Sequence, residues 1–129
     1  MDERAFFRAT RTQVGLTQQD IAAKYGVPIG FVANWENAKK EKFPVPPDAL
    51  DYVRRLKAFH DDEVARRMED LLGSSRVVLP YYRSQPEYER AGGTGYYAVE
   101  NGINLSLAAI LEYDGAIVEW NYPPRNAVE

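Results

Sequence analysis

Apolar and polar positions recur with helical spacing through the first 72 residues. From Asp2 to Val14 the apolar positions Ala5, Phe6, Ala9 and Val14 fall largely on one stripe, and Gly15 closes the segment as a C-terminal glycine would. Thr17-Gln18-Gln19-Asp20 reads as the start of a second helix. The threonine oxygen can accept backbone N–H groups there, and Asp20 substitutes for the longer Glu of a capping box. That helix runs to Tyr25; Gly26 tolerates the positive φ of a tight corner, and Pro28 opens a third helix that reaches about Asn37. After a lysine- and proline-rich loop from Ala38 to Pro47, a long pattern runs from Asp48 to Leu72. Its stripe is Leu50, Val53, Leu56, Phe59 or His60, Val64, Met68 and Leu71. Such a helix spans on the order of 37 Å, more than a small domain needs, so it either connects two lobes or breaks near Asp61-Asp62.

The pattern changes after Gly73-Ser74-Ser75. Arg76 to Arg83 is β-branched and aromatic and predicts a strand, with Pro80 favouring an edge. A short helix follows from Ser84 to Arg90, and Ala91 to Gly95 reads as a flexible loop. From Asn101 to Tyr113, Ile103, Leu107, Ile110 and Leu111 have helical spacing, with Asn101 as a cap and Gly115 just past the end. Asp114-Gly115 is also a hairpin signal. The helix is the expectation, with a strand at Ala116 to Trp120 and a frayed tail after Tyr122. The fold class expected is mainly α: a helical domain over residues 1–72 and a small α+β domain over 73–129.

Composition narrows the chemistry. The 129 residues include no cysteine and the single histidine His60, which excludes disulfides, thiolate zinc sites and cysteine nucleophiles and leaves no basis for a histidine metal site. His60 itself reads as a hydrogen-bonded, partly buried histidine. Asp61-Asp62-Glu63 reads as a solvated face, and GGTG lacks the Gly-Lys-Ser/Thr ending of a phosphate loop and reads as a hinge. The expectation is therefore a non-enzyme without metal, cofactor or small-molecule ligand. No apolar run approaches the roughly 18 residues that cross a bilayer, and MDERAFFRAT has no signal-peptide core, so a cytoplasmic location without membrane contact is expected.

The net charge of −3, from 16 basic and 19 acidic side chains, first argues against a nucleic-acid partner. Counting by halves reverses this. Residues 1–60 hold 10 basic and 7 acidic side chains, and residues 61–129 hold 6 and 12. The first half can approach phosphate, whereas the second is repelled by it and faces solvent, protein or its own copy.

Gln18, Ala22, Gly26, Val32 and Trp35 obey the spacing Gln-x3-Ala-x3-Gly-x5-Val-x2-Trp. Two helices crossing over a short turn need a small residue at their closest approach and a flexible one at the corner. Ala22 and Gly26 supply these, while Ile21, Val27, Val32 and Trp35 fill the wedge. GLTQQDIAAKYGVPIGFVANWENAKK resembles the helix-turn-helix of the Xre or Cro type found in phage repressors, and the likeness extends over about residues 2–60. It implies a lambda-repressor-like domain of four to five helices whose third helix enters the major groove of double-stranded DNA.

On that resemblance Ile29, Gly30, Ala33 and Asn34 face bases, and Thr17 and Gln18 lie at a phosphate-contacting helix start. Arg8, Arg11, Lys39, Lys40 and Lys42 are further phosphate contacts. Two departures stand out. Only Asn34 can hydrogen-bond an adenine edge, Ile29 and Ala33 being limited to thymine methyl groups, so DNA shape becomes a second source of specificity. Ala38 also replaces the usual glycine after the third helix.

LPYYRSQPEYE and NLSLAAILEYDGAIVEW are similar to the small domain of YdiL-like helix-turn-helix proteins, a bacterial and phage family that includes autorepressors of anti-CRISPR operons. The resemblance implies dimerisation through this half. Seven of the nine tyrosines lie beyond residue 80, and Tyr81, Tyr82, Tyr96, Tyr97 and Trp120 are the expected interface. Intradomain core remains the other reading of the four tyrosines. The expected function is a homodimeric, sequence-specific DNA-binding regulator that represses its own operon at an inverted repeat. The alternative is a protein-interaction adaptor or antitoxin-like module, favoured by the apolar face Ile29-Gly30-Phe31.

Overall fold

The structure is a computed structural model and describes residues 1–124. Part of the tail expected to fray, residues 125–129, lies outside the described residues. The chain is mainly helical: α1 (Glu3–Gln13), α2 (Gln18–Tyr25), α3 (Ile29–Glu36), α4 (Pro47–Leu71), α5 (Gln85–Arg90) and α6 (Tyr97–Tyr113), with strands β1 (Arg76–Pro80) and β2 (Ile117–Asn121). No helix among the described residues is long and apolar enough to cross a membrane.

Backbone contacts divide the chain into two compact units within α4, between Ala58 and Phe59. The boundary expected at 72/73 is thus moved. The second half of α4 belongs with α6, because His60 and Arg67 bond to Ser106 and Glu100. The helix shows no break at Asp61-Asp62.

In the first unit Asp2 caps α1 by accepting from Arg4 and Ala5 N–H. The buried row of α1 is Phe7, Thr10, Arg11 and Val14. The expected stripe of Ala5, Phe6 and Ala9 is therefore wrong: Ala5 and Ala9 are exposed and Phe6 is half-buried. Phe7, on the inward face, meets Trp35 edge-on with ring centroids 6.2 Å apart. Thr17 and Asp20 form the anticipated capping box. Gly26 ends α2 at φ 64°, a backbone state that a side chain disfavours. Pro28 stands one position earlier than expected, as the residue before the first turn of α3. Leu16, Ile21, Ala22, Val32, Trp35, Val45, Ala49, Leu50 and Val53 complete the buried core of this unit.

In the second unit β1 and β2 pair in parallel, from Arg76 opposite Ile117 to Pro80 opposite Asn121. Parallel pairing requires a crossover, which α5 and α6 provide, so Asp114-Gly115 is the end of a helix and not the corner of a hairpin. Val77 and Leu79 point inward among Val99, Ile103, Leu107 and Leu111. Val78 and Ile117, on the other face, are half exposed. Asn101 lies inside α6, which starts four residues earlier than the expected cap. It is buried, donating to the Tyr82 carbonyl at 2.8 Å and accepting from Tyr82 N–H at 2.9 Å. A strand end is thereby fastened to a helix. Arg67 grips Glu100 through two hydrogen bonds of 2.6 and 2.8 Å. The hydrogen bonds to Glu100 and Glu63 hold the guanidinium charged.

The 91–95 segment is not the free hinge expected. Gly93 N–H donates to the Tyr88 carbonyl at 2.9 Å, Tyr88 Oη to Thr94 O at 2.8 Å and Gln85 Nε2 to Gly95 O at 2.8 Å. A Cβ at Gly93 would sit 2.1 Å from the buried Tyr88 ring, which is itself 4.8 Å from that of Tyr82. Gly93→Ala should therefore destabilise the second unit by about 1–3 kcal/mol through overpacking. Chemical denaturation followed by tyrosine fluorescence checks this, and an unchanged midpoint would show that the Tyr88 ring moves freely.

Candidate nucleic-acid interface

One carboxylate ties the first three helices together. Glu36, at the end of α3, has a side chain only 3% exposed. It accepts from Arg11 Nε at 2.7 Å and Nη2 at 2.9 Å, from α1, and from Gln18 Nε2 at 3.1 Å, from α2. Arg11 Nη1 also donates to Leu16 O at 2.8 Å. Paired donors from a planar guanidinium fix orientation as well as distance. This geometry removes Arg11 from the phosphate-contacting set: its charge is buried and spent on Glu36. Arg8 is different, with a side chain 71% exposed and Nε 3.9 Å from Glu36.

The end of α3 has no basic residue in its last turn to meet its unpaired carbonyls. Arg4 from α1 meets them instead, donating to Asn34 O at 2.7 Å and Trp35 O at 3.3 Å, and to Lys40 O. Sequence reasoning missed this residue. The spacing Arg4, Arg8, Arg11 marks a basic row on α1, but nothing local distinguishes the two members that turn inward.

With Val32 and Trp35 buried, the opposite face of α3 is turned out. Ile29, Gly30 and Ala33 are exposed, and Asn34 is half-buried. Phe31, outside the base-facing set, is 52% exposed. Thr17 is exposed at the start of α2, with its hydroxyl and N–H both bonded to Asp20. Gln18 is partly covered and tethered to Glu36, leaving one amide hydrogen for another partner. Lys39, Lys40 and Lys42 are exposed in the segment after α3, where Asn37 Oδ1 accepts from Lys39 N–H at 2.9 Å. The chain from Thr17 to Lys42 thus presents a helix start, an outward helix face and a lysine loop.

The aromatic set of the second unit separates. Tyr81, Tyr96 and Trp120 are surface residues, and Tyr81 meets Trp120 edge-on at 6.3 Å beside Asn121 and Tyr122 in a shallow recess. Tyr82 lies on Tyr88 with its backbone clamped by Asn101, and burial raises its phenol pKa, so it packs within the unit. Tyr97 is half-buried and its N–H donates to Gln85. His60 is buried, with Nδ1 2.9 Å from Asp61 Oδ1 and Nε2 2.9 Å from Ser106 Oγ. Among the described residues no group of three His, Cys, Asp or Glu is placed to hold a metal.

Compared with known proteins, the chain matches no family model and no curated protein. Glu36→Ala should cost the first unit about 3–5 kcal/mol by leaving the buried Arg11 charge unpaired. Glu36→Gln, which retains an acceptor, should cost less. Thermal unfolding of the two variants provides the comparison; equal, small losses would mean that the pair is not what holds the helices.

Proposed function

We propose that the chain is a sequence-specific double-stranded DNA-binding regulator, an Xre/Cro-type helix-turn-helix protein that acts as a homodimeric repressor of its own operon. The observation that supports it most is the conjunction of an outward α3 face with the exposed lysines Lys39, Lys40 and Lys42 directly after it. In this reading α2 and α3 are the helix-turn-helix and α3 lies in the major groove. Ile29, Gly30, Ala33 and Asn34 meet bases, while Arg8, Thr17, Gln18 and the lysines meet phosphates.

Of the unit's seven acids, Glu3, Glu41, Asp48 and Asp51 are exposed, Glu41 between Lys40 and Lys42, and the other three are engaged within the unit. Asp2 and Asp20 are turned onto backbone N–H groups and Glu36 onto Arg11. The acidic second unit stays off the phosphates and joins two copies through the surface formed by Tyr81, Tyr96 and Trp120, as in the YdiL-like proteins it resembles. Two α3 helices then meet half-sites about one helical turn apart.

The adaptor reading draws on a specific observation too, the exposure of Ile29 and Phe31. Selection from random duplexes separates the two. An enriched inverted repeat supports the regulator, and no enrichment at moderate salt supports the adaptor.

On an enriched duplex, Lys40→Ala should weaken binding to all sequences alike and lower the salt slope by about one. Asn34→Ala should chiefly reduce discrimination among sequences. Titrations at several salt concentrations measure both, and a salt-independent affinity would contradict the phosphate contacts. Trp120→Glu should shift the chain toward monomer in sedimentation and favour half-site over full-site binding, whereas a dimer that survives it places the interface elsewhere.

A further inference from the structure

The outer face of α3 is unusual in its chemistry. At about 100° per residue, Gly30, Ala33 and Asn34 lie at the centre of the outward face, with Ile29 and Phe31 on its flanks. Ile29 is 48% exposed and Phe31 52%, and a Cβ at Gly30 would have nothing within 4 Å. Asn34, the one hydrogen-bonding side chain of this group, is half-buried. The face therefore offers apolar surface with a single polar atom group. It is followed at once by the exposed segment Lys39-Lys40-Glu41-Lys42, whose three lysines outweigh the one glutamate and suit a polyanion better than an apolar protein groove.

In the major groove the pattern of donors and acceptors is polar at every base pair except for one apolar group, the C5-methyl of thymine. We infer that α3 selects DNA through thymine C5-methyl groups held by Ile29 and Phe31, so that recognition depends on those methyls more than on hydrogen bonds to base edges. Gly30 and Ala33 leave room between the two side chains for the base edges to approach. Phe31 thereby becomes a specificity-determining residue. This inference rests on the DNA-binding reading.

Its test uses the full chain and the duplex that random selection enriches, remade with deoxyuridine in place of thymidine in the half-sites. Uracil keeps the base pairing and the O4 acceptor and loses only the methyl. Affinity should fall about fourfold for each contacted thymine, the equivalent of burying one methyl group. The same replacement outside the half-sites should leave it unchanged. Phe31→Ala and Ile29→Ala should weaken binding to the thymine duplex and bring the thymine-to-uracil ratio toward one. Both side chains are about half exposed, so thermal unfolding should move only slightly. Lys40→Ala should weaken binding and leave the ratio intact. Equal affinity for the two duplexes overturns the inference while the DNA-binding reading stands; failure of any duplex to be enriched overturns both.

Discussion

The buried pairing of Glu36 with Arg11 is the constraint on which the first unit depends. Taking both charges out of water is costly, and their attraction offsets this only when the geometry is good and the remaining polar atoms are satisfied. Here two guanidinium donors and the Gln18 amide converge on one carboxylate, and a third guanidinium nitrogen donates to Leu16 O. Three helices are thereby held at one point. Val32 and Trp35 pack inward alongside, and the outward direction of Ile29, Phe31 and Ala33 follows as the complement of what is buried. Arg4 acts at the same helix end, supplying donors to carbonyls that α3 cannot satisfy itself.

The second unit solves a different problem. Two short parallel strands form the sheet, with Val77 and Leu79 buried on one face and, among the described residues, Val78 and Ile117 half exposed on the other, whereas parallel sheets are ordinarily covered on both. Polar fastenings contribute what area cannot: Asn101 clamps the backbone beyond β1, Asn104 donates to Pro80 O at 3.3 Å, and Arg67 joins α4 to α6 through Glu100. The Arg83 side chain and backbone N–H hold the Glu87 carboxyl below the usual carboxylate range at the start of α5. Val78, Ile117, Tyr81 and Trp120 remain at the surface, which is the physical ground for seeking a partner there.

Local chemistry was legible in the sequence where its cause is local. Thr17 with Asp20 and Gly26 mark their helix ends within a few residues, and the sequence reading located the six described helices to within four residues at each end. What was not legible depends on distant partners. The charge of Arg11 looks available for phosphate until Glu36, 25 positions later, is seen to take it. Arg4 looks like any surface arginine until the α3 carbonyls arrive. Asn101 has the composition of a cap, yet its partner is Tyr82, 19 positions earlier. The inward row of α1 was misread because Thr10 and Arg11 are polar residues in buried positions, so Phe6 and Ala9 made the better apolar stripe on paper.

The central claim is that nucleic acid meets the chain on the outer face of α3 and the segment after it. Backbone amide resonances followed during titration with a selected duplex test it residue by residue. The account predicts that the largest shifts fall on Ile29 to Asn34, on the start of α2 and on Lys39 to Lys42. Shifts concentrated instead on Tyr81, Tyr96 and Trp120, with α3 unmoved, would contradict it.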